Sequence, residues 1–241
     1  MSWIFSEYSD LALPIPTFSE TKSACDNLPA MRDIRPWTMP LLGGLEDWPD
    51  VEALNHHAQE LLPGFPWRFI RAEKPPSRAK SRGMASLSGY VELISAHGKI
   101  PMRQRNLHDL LNALSFFRFP ASKQALNERH LAESPEGVKP GQNRTRVQDL
   151  LTMFDEGGVI RMVARSGHHK DLVFGHAIHE HMIVGKQIRA ARLDFHCDVD
   201  ILSISAGELT KMADQMFCQW LKNKANCLDS GEFSHVWIPT A

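Results

Sequence analysis

The sequence predicts an α+β fold, a mostly helical single domain with a few short strands. Three observations carry this expectation. Apolar residues recur at helical spacing in several separate stretches, which is the mark of helices with one buried face. Short branched and aromatic runs lie between them and read as strands. The 241 residues hold no internal repeat and no low-complexity segment, and that length supports one sizeable core. Hydrophobic residues make up 43% and charged residues 23%, ordinary values for a soluble globular chain.

The elements follow in chain order. Residues 1–45 are rich in Pro, Ser and Thr and lack clear periodicity, so they read as an N-terminal extended arm closed by WTMPLLGGLEDWP. Residues 46–241 form the single mainly helical domain. Asp50 is placed to cap VEALNHHAQELL, whose Val51, Leu54, Ala58 and Leu61 share a face, and Pro63 and Gly64 stop it. WRFIRA reads as a strand. EKPPSRAKSRGMAS carries Lys74, Arg78, Lys80 and Arg82 without apolar pattern; it reads as a solvated loop, or functionally as a basic loop over an anion. Helical spacing resumes from Tyr90 through VELISAHG. In NLHDLLNALSFFRFP, Leu107, Leu110, Leu111, Leu114 and Phe117 form a stripe, with Asn106 as cap and Pro120 as stop. SKQALNERHLAE is a third helix, and RTRVQDLLTMFDEGG a fourth with Val147, Leu150, Leu151 and Phe154 on one face. VIRMVAR reads as a strand, VFGHAIHEHMIVGK as a helix, IRAARLDFHCDVDIL as a strand, and AGELTKMADQMFCQWLKNK as a last amphipathic helix.

Charge and cysteine content narrow the function classes. The net charge is −1, which gives no global field for a polyanion, so no nucleic-acid partner is expected. No apolar run reaches the ~20 residues that span a bilayer, and the N-terminus lacks a basic n-region. A cytoplasmic protein with no membrane partner is expected. Cys25, Cys197, Cys218 and Cys227 form no CxxC pair, and four reduced, mostly buried thiols are the plain expectation.

Polar groups beside the apolar stripes are the candidate site. Stepping about 100° per residue, His108 and Asn112 fall together on a flank of the Leu107 stripe, and Asp109 lies further round. Asp149 and Glu156 share an azimuth on the next such helix, and Asp155 sits on the other flank. His176 and Glu180 are four apart, His179 joins them at three, and His181 points elsewhere. His56, His57, His168 and His169 read as surface residues. His and carboxylates on facing helices are ligands for Zn, Fe or Mn. The expected metal ligands are His108, Asp109, Asp155, Glu156, His176 and Glu180. The expected catalytic groups are His108, Asp109, Asn112 and Asp149. A structural alternative bonds His108 to Asn112 or a backbone carbonyl and pairs the carboxylates with Arg118, Arg144 or Arg146.

Three ordered motifs carry a family resemblance: NLHDLLNALSFFRFPASKQALN, RTRVQDLLTMFDEGGV and LVFGHAIHEHMI. Together they resemble the uncharacterised bacterial family catalogued as domain of unknown function three-zero-two-five. The resemblance spans roughly Trp48 to Phe195, and its motifs match at His108, Asp109, Asn112, Asp149, Asp155, Glu156, His176 and Glu180. His179 and His181 are outside the pattern. The chain departs at its end, where GEFSHVWIPTA stands in place of the family's proline-rich tail. The resemblance implies no activity.

The expected function is a metal-dependent enzyme, most simply a hydrolase that uses a metal-activated water on a small molecule. A non-haem iron oxygenase on the same His/carboxylate set is the first alternative. A metal-free enzyme with His108 or His176 as base is another. The last is a non-catalytic module held by a structural polar network.

Overall fold

Caps decide where the helices begin. The computed structural model describes residues 16–72, 87–133, 145–227 and 229–238. Thr17 and Glu20 form a capping box at the start of α1 (Phe18–Asn27), each satisfying a backbone donor that the first turn leaves open. Pro29 opens a short 3₁₀ turn, and Pro36 sits in the first turn of α2 (Arg35–Leu42). Asp50 caps α3 (Val51–Leu61), Asn106 caps α5 (Leu107–Arg118), and Thr145 with Gln148 forms a capping box on α7 (Arg146–Gly157). Between these lie α4 (Leu87–His97) and α6 (Pro120–Ala132). Next come α8 (His176–Ile183) and α9 (Ala206–Lys222), the latter started by a Ser205/Glu208 capping box.

The strands form two small sheets. β1 (Arg68–Arg71) pairs in parallel with β2 (Lys99–Met102). Gly98, at φ 59°, turns the chain from α4 into β2 in a left-handed conformation that suits glycine. Asn55 of α3 bonds both the N–H and the carbonyl of Phe69, so a side chain completes the open edge of β1. The second sheet has the order β4-β3-β5-β6. β3 (Gly158–Ala164) pairs antiparallel with β4 (His169–Val173) and in parallel with β5 (Ile188–Cys197). β6 (Ser234–Ile238) closes the order, antiparallel to β5. The fold is thus α+β and mainly helical, as the periodicity predicts. No helix among the described residues is long and apolar enough to cross a membrane, and all four cysteines are free.

Apolar burial falls into two clusters. One joins Phe18, Ile34, Leu42, Leu54, Phe69, Leu110, Leu114, Phe117, Ile178 and Met182. The other joins Leu126, Leu151, Phe154, Ile160, Phe174, Leu193 and Phe217. α5 and α8 belong to the first cluster and α7 to the second, so the polar flanks of these three helices meet where the clusters adjoin.

The structure corrects the reading of residues 1–45 as extended. From Phe18 to Leu42 the chain is largely helical, and Phe18, Cys25, Met31, Ile34, Leu41 and Leu42 are buried in the first cluster. Prolines misled because Pro29 and Pro36 occupy first-turn positions, where the missing N–H costs nothing, and α2 runs on through Pro40. Residues 1–15 and the basic stretch at 73–86 lie outside the described residues, as do 134–144, where a loop was expected. β2, β4 and β6 are additions: each has five residues or fewer, too short for alternation to show. His57 also departs from its expected surface position. It is buried, with Nε2 3.2 Å from the Trp37 carbonyl and its ring edge-on to Phe117.

Two buried arginines tie distant segments. Arg118 at the end of α5 reaches Asp33 at 2.7 Å and the Val173 carbonyl at 2.8 Å, with its guanidinium over Trp37 and Phe119. Asp33 also meets His179 at 3.4 Å. Burial would raise the Asp33 carboxyl, but the Arg118 charge and the His179 contact outweigh it and hold it far below the usual carboxylate range. Arg129 of α6 gathers the carbonyls of Leu221, Asn223, Lys224 and Asn226 at the end of α9.

Asp33→Asn leaves the Arg118 charge buried without its counter-ion, so it should destabilise the fold by ~3 kcal/mol at neutral pH. The carboxylate's contribution is present above its ordinary value of 3.8 and is lost as acid protonates it in the fold. The gap between wild type and variant should therefore narrow as pH falls below that value. Urea unfolding at several pH values measures it.

Candidate functional site

The site begins with a backbone contact. Phe174 and Gly175 both donate their N–H to the Gly158 carbonyl at 2.9 Å, which pulls the start of α8 against the end of α7. A Cβ at Gly175 would fall on the Glu156 carbonyl and the Gly158 nitrogen, and one at Gly158 would fall on Phe154. Only glycine permits so close an approach. His176, the next residue, therefore enters α8 beside Glu156.

α5 supplies the third component. His108 follows the cap of α5, and its Nε2 lies 3.1 Å from His176 Nε2 with the rings edge to face. Glu156 reaches His176 Nε2 at 3.3 Å and His108 Nε2 at 3.9 Å. One donor atom from each of His108, Glu156 and His176 lies within 4.8 Å of the other two. Glu180, one turn into α8, meets the opposite nitrogen of His108, Nδ1, at 3.2 Å. The His176 side chain is 3% exposed, whereas those of His108 and Glu156 are 33% and 25% exposed. The cluster is closed behind and reachable in front.

The protonation pattern follows from these neighbours. Burial, then the charges of Lys123 and His108, hold His176 well below the ordinary imidazole value. Burial would also depress His108, but its bond to Glu180 and the charges of Glu156, Glu180 and Asp109 outweigh it and raise His108. Burial, with the charges of Asp155 and Glu180, pushes the Glu156 carboxyl up to about 6 against the pull of His108 and Lys123. One arrangement is consistent: a charged His108 donates Nδ1–H to Glu180 and Nε2–H to the lone pair of neutral His176. His176 then carries its proton on Nδ1, and a backbone contact with Asp155 favours a proton on this ring. Two imidazole nitrogens and a carboxylate thus converge on a space now shared by one proton, a donor set that suits Zn or Fe.

The structure places the other expected site residues differently. Asp109 turns away from the cluster: its carboxylate accepts from the backbone N, Nε and Nη2 of Arg103 at 2.6, 3.0 and 2.7 Å. That bidentate clamp occupies both oxygens and takes Asp109 out of the ligand set. Asp155 is also diverted. Its Oδ1 binds the Lys123 ammonium at 2.6 Å, because it lies on the other flank of α7 from Glu156. Asn112 bridges Lys123 and the Tyr90 hydroxyl, each at 2.8 Å. Asp149 is exposed in the first turn of α7, seven residues and so about 10 Å along the axis from Glu156. His179 packs on Asp33 rather than joining the cluster. The pairs open to the carboxylates also resolve differently, since Arg118 serves Asp33 and Arg146 meets Asp229.

Lys123, Tyr90 and Arg103 are the residues that sequence reasoning passed over. The Lys123 side chain is 1% exposed and its ammonium faces the Phe116 and Phe174 rings at 4.7 and 5.8 Å. It stands three and four residues before Leu126 and Asn127, all on the buried side of α6. A lysine on an apolar azimuth was the available signal, and α6 is too evenly mixed to make it stand out. Two grooves elsewhere, of about 410 and 220 Å³, lie around Trp67 and share no residue with the cluster.

Residues 79–171 match the family model described as Protein of unknown function (DUF3025), the family that the motifs resemble. The matched segment holds His108, Asn112, Lys123 and Glu156; His176 and Glu180 lie just beyond it. No curated protein and no solved structure matches the chain.

With metal chelated, the histidines should titrate in opposite directions. His108 should lose its proton above the ordinary 6.5, and His176 should stay neutral well below it. Side-chain ¹⁵N NMR against pH reads both rings. Two rings titrating together near 6.5 would contradict the geometry.

Proposed function

We propose that this chain, which carries the DUF3025 segment at residues 79–171, is a metal-dependent enzyme, a hydrolase acting on a small molecule, with His108, His176 and Glu156 as the metal ligands. The observation that carries this reading is the convergence of His108 Nε2, His176 Nε2 and the Glu156 carboxylate from three helices. The two imidazole nitrogens stand 3.1 Å apart, close to the edge of about 3.3 Å that a tetrahedron of such ligands has around zinc, and the carboxylate reaches them with its two oxygens, Oε2 at 3.3 Å from His176 and Oε1 at 3.9 Å from His108. Two His and one carboxylate leave a coordination position open, which is the pattern of catalytic rather than structural sites.

A metal there would polarise a substrate oxygen and lower the pKa of a bound water. The chain's own residues support the reading around it. Glu180 takes the Nδ1 proton of His108, which fixes the ring and turns the Nε2 lone pair inward. Asp155 and Asn112 hold the Lys123 ammonium beside the cluster, where its charge offsets the surplus of carboxylates. Glu156 and His108 leave one side of the cluster reachable.

The same donor set also suits iron, so an oxygenase or oxidoreductase is the second reading. The identity of the ion separates the two. A buried polar network without metal, serving only to join α5, α7 and α8, is the remaining alternative.

Purified protein should contain about one Zn, Fe or Mn per chain by elemental analysis. His108→Ala, His176→Ala and Glu156→Ala should each abolish it, and Asp149→Asn should leave it intact. Glu180→Gln should keep the ion but bind it about 10- to 100-fold more weakly. Wild-type protein that refuses every one of these metals, with histidine variants that only lose stability, would favour the structural network instead.

A further inference from the structure

The hydrogen bonds around Asn112 have one consistent set of directions. The Lys123 ammonium can only donate, so Asn112 Oδ1 accepts from it at 2.8 Å. Asn112 Nδ2 can only donate, and it faces the Tyr90 oxygen at 2.8 Å. The Tyr90 oxygen therefore accepts in this bond, and its own O–H proton must point elsewhere. Among the described residues no acceptor takes that proton. The direction is rigid, because Asp155 anchors the same ammonium at 2.6 Å. A fixed, half-buried hydroxyl is left with an undelivered proton.

The hydroxyl is tied to the face of α5 that carries His108. Asn112, its partner, lies one turn after His108 on the same face of α5. The charges of Asp155, Asp109 and Glu156 act on the phenol, and the Arg103 cation interacts with it and with Glu180. None of these carboxylates accepts its proton. Asp109 is filled by Arg103, Asp155 is held by Lys123, and Glu156 faces the histidines.

We propose that Tyr90 is a substrate-binding residue, its O–H donating to an oxygen acceptor of a ligand seated against His108, Glu156 and His176. The ligand class is one that presents a carbonyl, carboxylate or phosphoryl oxygen beside the metal. This rests on the metal reading above. Arg103 strengthens the preference for a negative oxygen: its side chain is 59% exposed, and Asp109 occupies only Nε and Nη2, so Nη1 keeps both of its donors. Burial and the surrounding carboxylates also push the phenol far above its ordinary range, so the proton stays on the oxygen at neutral pH.

The test uses the full chain loaded with cobalt(II), titrated by visible absorption with acetohydroxamate and, separately, with imidazole. Acetohydroxamate offers oxygen acceptors at the metal, and imidazole offers none. Tyr90→Phe should bind cobalt at the wild-type ratio and imidazole at the wild-type affinity, yet bind acetohydroxamate roughly tenfold more weakly. Asn112→Asp supplies a second reading. Its new carboxylate can hold Lys123 with one oxygen and take the Tyr90 proton with the other. The same loss for acetohydroxamate should follow although the hydroxyl is still present. Unchanged acetohydroxamate affinity in either variant overturns the proposal. So does an equal loss for both probes, which marks a structural role for Tyr90. A wild-type chain that takes up no cobalt overturns the metal reading, and this proposal with it, before any ligand is added.

Discussion

The close approach of Gly175 to the end of α7 is the constraint on which the rest of the site depends. It is a contact between backbones, made by N–H groups of Phe174 and Gly175 on one carbonyl. Its geometry sets the entry of α8, and so the position of His176 relative to Glu156, before any side chain chooses a rotamer. Side chains 3 Å apart on separate helices need such a foundation, because the slack in a loop would scatter them by more than that distance. The same contact joins the two apolar clusters, since α8 packs with the first and α7 with the second.

Electrostatics then divides the carboxylates by task. Asp33, Asp109 and Asp155 each hold a cation, respectively Arg118, Arg103 and Lys123. Among the described residues, the ion contacts of Glu156 and Glu180 are with imidazole. Two of the cations, Arg118 and Lys123, are almost wholly buried and lie over aromatic rings as well as against a carboxylate, so the cost of desolvation is shared between two kinds of partner. The two kinds of neighbour act in opposite senses: burial pushes the Glu156 carboxyl up to about 6, whereas the Arg118 charge and the His179 contact hold Asp33 far below its usual range.

The sequence revealed more of the helices than of the contacts between them. α3, α5, α7 and α9 were legible because each has a cap and a clean apolar stripe, which are local signals. α1 and α2 were not, because prolines flank α1 on both sides and α2 itself holds Pro36 and Pro40, so the whole stretch reads as broken. The cluster itself was legible in outline: His108, Glu156, His176 and Glu180 were named from azimuth and motif, and these are the residues brought together. Azimuth could not show that Asp109 and Asp155 are drawn off by Arg103 and Lys123, since both partners come from outside the helix in question. Tyr90 was seen only as the start of a helix, because its importance depends on a relay through Asn112 to a third segment.

The Arg129 anchor at the end of α9 bears on the order of folding. Its carbonyl partners stand 92 to 97 residues away, and they shape the reversal that leads through Cys227, at φ 63°, toward β6. Contacts this remote form late, because the loop between them must close first. The β3–β4 hairpin, by contrast, is local and can form early. The Arg129 anchor and the pairing of β6 on β5 thus both tie the far end of the molecule to its middle.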